Sequence, residues 1–411
     1  MKIILSIEAI HPPLAGIGRY AWELATRAPA HPAIESMRFM SDGRWTDLPK
    51  IEAAVHTPSL QPQVQAQTTV AAPVQLNYKG RMRQRLEKIP TQLRRQLGRI
   101  PLVSRAYAQL MPGVVAGQLN KVKDGIFHGP NYFVPKTHLP TVLTIHDLSI
   151  YRYPQWHPKA RVERMLATIP DSIQRANLIL TDSEAIRLEL IEQFNLPEHK
   201  LKTVLLGVDQ IYFPRSAVEL QPHLNKFGLN ANGYSLFVST IEPRKNLQNL
   251  LAAYRALPLS ARQRWPLVLA GGRGWESDAI HADIVQGEAE GWLKYLGFVE
   301  QSALPYLYAG CHLFTYPSWY EGFGLPIAEA MASGVPVLTS NTSSMPEVAA
   351  GAALLVNPAD VDDIRRALLR GLEDEEWRLQ AIARGLQRAA ELTWDACVQN
   401  TVVAYQTVSS N

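Results

Sequence analysis

Cysteine is nearly absent: Cys311 and Cys397 are the only two in 411 residues, too few for a disulfide framework and in keeping with a reducing compartment. No apolar run approaches the roughly 20 residues of a membrane-spanning helix, so a helical span is excluded. A strong excess of one charge is missing as well. At a net +4 the molecule as a whole is not an evident nucleic-acid binder, and only local clusters of basic residues carry meaning. No internal repeat of roughly 20 to 50 residues is visible, which disfavours a solenoid. Met1 to Ser6 run straight into a strand-like pattern, with neither a charged-then-apolar leader nor a small-residue cleavage site, so a cytoplasmic protein is expected. The rest is ordinary for a folded chain, 46% hydrophobic and 19% charged, and longer than one hydrophobic core usually supports. Two α/β lobes are therefore expected.

Along the chain, Lys2 to Ile7 reads as a strand, His11-Pro12-Pro13 as a break, and Gly16 to Ala28 as an amphipathic helix. Met37 to Ser41 suits a second strand. From Asp42 to about Val74 the Pro, Gln, Ser and Thr content shows no periodicity and receives no structure. Apolar runs then end at His128, at Ile145 before His146-Asp147, and at Leu180 before Thr181-Asp182-Ser183, alternating with helical patterns. That alternation implies parallel strands. A second series follows with Ser235 to Thr240, Leu267 to Ala270, Lys294 to Val299, His312 to Tyr316, Val335 to Thr339 and Ala352 to Val356. The predicted organisation is a first doubly wound domain over 1–206, a linker and hinge over 207–232 with Pro214 and Pro222, and a second domain over 233–393.

The segment Pro317 to Val337 carries the most chemistry. A strand ends at Tyr316, the turn Glu321-Gly322-Phe323-Gly324-Leu325 lets backbone amides approach a ligand, and Pro326 suits a first helical turn. The positive end of that helix faces the turn, so an anion, most naturally a diphosphate, is the expected guest. Glu321 before the turn and Glu329 inside the helix flank it, and carboxylates so placed accept hydrogen bonds from sugar and ribose hydroxyls. Upstream, Ser239-Thr240-Ile241-Glu242-Pro243-Arg244-Lys245-Asn246 follows the first strand of the second series. Arg244 and Lys245 there can clamp the same diphosphate, at the carboxyl edge where open α/β sheets bind ligands.

The 317–337 segment resembles the E-x7-E signature of the retaining glycosyltransferases of family 4, with Glu321 and Glu329 in its two acidic places. The resemblance is strong from Tyr234 to Val356 and patchy before Phe127. It implies the GT-B fold, two Rossmann-like domains facing across a cleft, with the end of the chain, 394–411, packed back on the first. It also implies that Glu321 lies near the donor sugar and Glu329 near the ribose. The amides of Phe323, Gly324 and Leu325 would hold sugar and phosphate, while Arg244 and Lys245 stabilise the departing diphosphate. Some relatives carry an additional Arg where Thr240 stands, which leaves the total positive charge on the phosphates open. His146, beside Asp147 at a strand end, resembles the family's histidine near the reacting carbon. His128, Asn131 and Asp147 are expected to border the acceptor.

Gly16-Ile17-Gly18-Arg19-Tyr20-Ala21 matches the loose pattern G-x-G-x-x-A. Gly16 and Gly18 are read as backbone closing over the donor phosphates from across the cleft. A nicotinamide oxidoreductase is the rival reading of that pattern, since Asp42 follows the next strand, but the long His11 to Ala15 lead-in is unlike a tight dinucleotide turn. Asp360-Val361-Asp362 mimics a metal-binding D-x-D, yet it opens a helical segment, where acids favour the positive end. No cofactor and no metal are expected, the basic pair and the helix start neutralising the phosphates. The basic stretch 79–105, from Lys79 to Arg105 with Leu86, Ile89, Leu93, Leu97 and Ile100 interleaved, suits either an anionic membrane face or a solvated helix packed on the first lobe. Nucleic acid is not an expected partner, because no aromatic stacking platform accompanies the charge.

The expected function is transfer of a hexose from a nucleotide diphosphate donor to a glycan or lipid-linked saccharide, the enzyme lying in the cytoplasm or on the inner face of the membrane. The motifs around Glu321 and Arg244 are similar to those of bacterial mannosyl- and rhamnosyltransferases of polysaccharide and O-antigen assembly, which implies GDP-mannose as donor. A sugar-nucleotide epimerase of the same fold and a noncatalytic scaffold remain alternatives.

Overall fold

The computed structural model describes residues 1–12, 14, 16–49 and 113–409. The basic stretch 79–105, and most of the segment expected to be irregular, lie outside the described residues. The first lobe holds a seven-stranded sheet: β1 (Lys2–Ser6), β2 (Ser36–Ser41), β3 (Arg44–Thr46), β4 (Ile126–Gly129), β5 (Thr141–Ile145), β6 (Leu178–Thr181) and β7 (Leu201–Thr203), in the order β3-β2-β1-β4-β5-β6-β7. The second holds six parallel strands: β8 (Ser235–Val238), β9 (Leu267–Ala270), β10 (Leu293–Gly297), β11 (Leu313–Tyr316), β12 (Val337–Ser340) and β13 (Ala353–Val356), in the order β10-β9-β8-β11-β12-β13. Central strands such as Thr141–Ile145 and Leu313–Tyr316 are buried at every position, because helices cover both faces. The chain therefore has two Rossmann-like α/β lobes.

β3 departs from expectation. It pairs antiparallel with β2 through Asp42 and Gly43, whose φ angles of 50° and 67° make the mirror-image turn suited to a tight hairpin. An Asp-Gly pair after a strand carries that signal, which the Pro- and Gln-rich run behind it obscures.

In each sheet the strand order reverses once, between β1 and β4 and between β8 and β11. Such reversals open a crevice at the carboxyl ends of the strands. The loops after β8 and β11 carry Arg244, Lys245 and Glu321; those after β4 and β5 carry Asn131, His146 and Asp147.

The lobes are joined by two crossings that touch. Val208 bridges to Thr393 and its amide bonds the Leu392 carbonyl. A Cβ on Gly207 would come within 2.1 Å of the Trp394 amide, so only glycine lets the strands lie side by side. Most of 207–232 is not free linker. Its helix Ala217–Leu224, started by a Ser216/Glu219 capping box, buries Leu220 and Leu224 on the helix Leu304–Gly310 of the second lobe. The final helix, Trp394–Ser409, packs on the first lobe against the helix Ile17–Arg27 and β4 to β6. Among the described residues no helix is long and apolar enough to cross a membrane.

Candidate active site

Glu321 is the hub on the second lobe. Only 7% exposed, it accepts from Arg244 Nη1 at 2.9 Å, Lys245 Nζ at 2.7 Å and the Tyr316 hydroxyl at 3.0 Å. Arg244 also donates to Glu242 at 2.9 Å and to the Tyr320 carbonyl at 2.7 Å. Burial alone would push the Glu321 carboxyl up; the two cations outweigh it and hold it at about 2. Burial likewise works against the charge on Lys245, as does Arg244 beside it, but Glu321 keeps its pKa raised. The backbone locks the two loops together. Trp319 donates its amide to the Arg244 carbonyl at 3.0 Å, and the Asn246 side chain ties to the Pro317 and Pro358 carbonyls at 2.9 and 2.7 Å. Two positive and two negative groups thus form a desolvated, preorganised cluster.

The helix Leu325–Ala332 begins beside it. Its N-cap, Gly324, has φ 102° and no side chain to cap the first amides of the helix. Glu329, one turn in, is half-buried and neighbours Tyr308, Arg19 and Tyr212; burial pushes its carboxyl up to about 7. Gly16, Arg19, Tyr212, Thr240, Arg244, Lys245, Glu321, Phe323, Gly324, Leu325 and Glu329 all line one cleft of about 550 Å³ between the lobes.

The first lobe closes the cleft through His146. Its Nδ1 meets Asp182 at 2.7 Å and its Nε2 the Pro130 carbonyl at 2.8 Å. Burial disfavours an imidazolium there, but the Asp182 carboxylate and the carbonyl together raise the His146 pKa above its ordinary value. β5 and β6 pair Ile145 with Thr181, which sets His146 and Asp182 side by side as the next residues. The His146 carbonyl presses on Gly322, where a Cβ would come within 1.9 Å. Ser183 donates to the Gly322 carbonyl at 2.7 Å, and Tyr320 receives the Leu148 amide at 2.9 Å and donates to Glu189 at 2.7 Å. Glu347 of the second lobe accepts the Glu184 and Ala185 amides at 2.9 and 3.1 Å, capping a first-lobe helix. The lobes stand closed on one another.

Three residues singled out from the sequence stand elsewhere or act differently. His128 is fully buried, Nδ1 at 2.7 Å from the Tyr405 hydroxyl and Nε2 at 2.7 Å from Thr144 Oγ1. Burial drives its pKa to about 3, so it is a neutral bridge between β4 and the final helix and does not border an acceptor. Asn131 is exposed and outside the cleft wall. Gly18 is outside it too: a Cβ there would lie 2.7 Å from the Ala9 carbonyl, so this glycine serves packing. Asp147 does line the cleft, with Oδ1 accepting from the Ser149 amide at 3.0 Å and hydroxyl at 2.9 Å. Asp360 caps its helix by accepting the Asp363 amide at 3.0 Å, and Asp362 pairs with Arg365. Sequence reasoning missed Glu242, Tyr316 and Asp182 as partners and Tyr212 and Tyr308 as neighbours of Glu329. Tyr316 and Asp182 sit at or next to strand ends and Glu242 follows β8 by four residues; Tyr212 and Tyr308 arrive from distant segments with no local pattern.

Residues 224–388 match the family model described as glycosyl transferases group 1. Over 407 residues the chain is 41% identical to O-antigen chain mannosyltransferase B of Escherichia coli, covering 99% of this chain and 100% of that one. It is also 26% identical to O-antigen chain mannosyltransferase RfbU of Salmonella typhimurium over 53% of this chain and 57% of that protein. Among solved structures, Anabaena HepE in complex with UDP and glucose matches over 100% of both chains with a TM-score of 0.66 at 17% identity. WaaG, a glycosyltransferase involved in lipopolysaccharide biosynthesis, matches over 100% of both with a TM-score of 0.65 at 13% identity. These two likenesses concern the fold. With identity to a curated relative running over nearly its whole length, this chain belongs to the group 1 glycosyltransferases and is a glycosyltransferase of the GT-B fold.

Proposed function

We propose that the enzyme transfers mannose from GDP-mannose, with retention of configuration and without a metal ion, to a glycan or lipid-linked saccharide in bacterial surface polysaccharide assembly. The observation that carries this reading is the buried Arg244–Lys245–Glu321 cluster beside an uncapped helix start in the interlobe cleft. The mannosyl specificity draws support from the 41% identity to a protein named as an O-antigen chain mannosyltransferase.

In this reading the donor diphosphate lies between Arg244, Lys245 and the amides of Phe323, Gly324 and Leu325, with ribose hydroxyls on Glu329. The bond between the anomeric carbon and the phosphate oxygen breaks, its electron pair leaving on the diphosphate, where the two cations and the helix dipole stabilise it. The acceptor hydroxyl oxygen bonds to the same face of that carbon, and its proton passes to the departing phosphate oxygen. The carboxylates of the cleft favour this route over a covalent one. Glu321 is held by two cations, Glu242 by Arg244, Asp182 by His146 and Asp209 by Arg19, and Asp147 is tied to Ser149. His146, with both ring nitrogens occupied, positions the loop that covers the sugar.

The test is incubation with GDP-, UDP- and dTDP-sugars and cellular lipid-linked saccharides in EDTA, with NMR of the new linkage. The reading expects an α-mannosyl product from GDP-mannose that depends on acceptor. Epimerised or merely hydrolysed donor, with no acceptor-dependent product, would overturn it in favour of an epimerase.

A further inference from the structure

One stretch of the cleft wall has no part in donor cleavage: His157, Arg161 and Trp275. His157 is only 6% exposed, yet among the described residues neither ring nitrogen has a hydrogen-bond partner. Buried polar groups of this kind are normally satisfied, so an orphaned imidazole in the wall of an open cleft points to a ligand that completes it. Burial, reinforced by the Arg161 guanidinium, lowers its pKa to about 4. At neutral pH the ring therefore offers one donor and one acceptor.

The surroundings are aromatic. The His157 and Trp275 rings lie 6.3 Å apart at 34°. Trp275 is fixed by its indole N–H, which donates to the Trp156 carbonyl across the interlobe boundary. Trp156 stacks on Tyr153 at 4.3 Å and 9°, and Trp319 stands 6.2 Å beyond it. All four aromatic side chains are only half-buried. A fixed aromatic wall with a few convergent polar groups at its edge suits a pyranose, which presents an apolar face of C–H groups and a rim of hydroxyls.

Its place in the cleft separates it from the donor's nucleoside. His157 feels Arg161, Asp147 and Arg244, so it lies at the transfer end. Glu329, the ribose ligand of the proposed function, has Tyr308, Arg19 and Tyr212 as neighbours instead, sharing none of these.

We propose that His157 and Trp275, backed by Trp156, Tyr153 and Trp319 and edged by Asp147 and Arg161, form the acceptor subsite and grip a terminal pyranose of the acceptor saccharide. The assignment rests on the glycosyl-transfer reading above. Because Trp275 belongs to the second lobe and His157 to the first, the subsite is complete only when the lobes are closed, so acceptor binding and closure reinforce each other.

The test uses the full chain saturated with GDP and three probes, octyl α-mannoside, octyl β-N-acetylglucosaminide and octyl α-galactoside, titrated by saturation-transfer NMR. Calorimetry of GDP alone is run in parallel. The wild type is expected to bind at least one glycoside saturably. His157→Ala and Trp275→Ala should weaken that binding at least tenfold with GDP affinity within threefold, while Trp275→Phe, which keeps a ring face, recovers most of it. Thermal unfolding of each variant identifies any that fails to fold, and the remaining variant then decides. Wild-type protein that binds GDP but none of the glycosides overturns the subsite, as do variants that keep glycoside affinity. Variants that lose GDP and glycoside equally overturn it too, assigning the wall to the nucleotide. If GDP itself does not bind and no sugar-nucleotide is turned over, it is the glycosyl-transfer reading that fails.

Discussion

The second lobe meets the cleft with Glu242, Arg244, Lys245 and Glu321 in one hydrogen-bonded cluster, drawn from two short loops after adjacent strands β8 and β11. The first lobe meets it with a His146–Asp182 pair, an arginine held by Asp209, and an imidazole whose ring nitrogens have no hydrogen-bond partner among the described residues. In the proposed reading one side holds the anion common to every nucleotide-sugar, while the other sets paired charges, an uncharged imidazole and aromatic rings against a variable saccharide. The anion side is dense in charge and drawn from two compact loops, whereas the saccharide side is assembled from scattered residues.

The sharpest way to break this contrast is Lys245→Ala. If the second lobe supplies the charge that stabilises the leaving diphosphate, kcat should fall about 10³-fold, as when one preorganised donor is removed from an oxyanion site. Initial rates at saturating donor and acceptor decide the matter.

The lobes should also differ in how acid and base loosen them. Glu321 sits at about 2 in the folded protein against 4.5 when free. Its stabilisation is present above 4.5 and lost as pH falls toward 2, worth about 3 kcal/mol in all. His146 behaves in the opposite sense: its raised pKa contributes stability present below 6.5 and lost as pH rises through the folded value. Urea midpoints measured from pH 2 to 9 on the wild type, Glu321→Gln and Asp182→Asn check both limbs; each variant should flatten its own limb alone.

Gly322→Ala tests whether the lobes must touch. The added Cβ has no room beside the His146 carbonyl, so closure is blocked while the donor cluster stays intact. GDP affinity should change less than threefold and kcat should fall about 100-fold, in line with the cost of a misplaced catalytic geometry.

A smaller effect concerns Glu329. In the proposed reading its carboxyl, at about 7, accepts both ribose hydroxyls only when ionised, since protonation turns one oxygen into a donor, so donor KM should fall about tenfold from pH 6 to pH 8, a ratio set by the ionised fraction. In Glu329→Gln that dependence should vanish. The same raised value means that the folded protein loses some stability as pH climbs from 4.5 through 7, the reverse of Glu321. Smallest of all is Glu347→Gln, whose single carbonyl oxygen keeps one of the two hydrogen bonds from the Glu184 and Ala185 amides while the charge facing the helix start is removed. Closure should weaken by about 0.5–1 kcal/mol, seen as a two- to fivefold drop in kcat.

The same difference explains how far the sequence could be read. The alternation of apolar runs with helical patterns fixes two parallel sheets, and Arg244, Lys245, Glu321 and Glu329 stand out because each follows a strand end or opens a helix within a few residues. Asp182 was visible as a strand-end acid, but its pairing with His146 depends on β5 lying beside β6, which single-strand patterns do not reveal. His128 misled because it also ends a strand; the Tyr405 hydroxyl that occupies it comes from 277 residues away. Gly18 misled because a glycine demanded by the Ala9 carbonyl looks the same in sequence as one demanded by a ligand. Trp156, His157 and Trp275 meet only across the interlobe boundary, and nothing local announces them.

The division of labour between the lobes is tested most directly by calorimetry of GDP-mannose binding in EDTA to the wild type, Lys245→Ala and His157→Ala. The account predicts tight binding to the wild type, a loss of at least about 100-fold, or roughly 2.7 kcal/mol, in Lys245→Ala, and near-wild-type affinity in His157→Ala. Equal affinity for wild type and Lys245→Ala, or a requirement for added divalent metal, would contradict it.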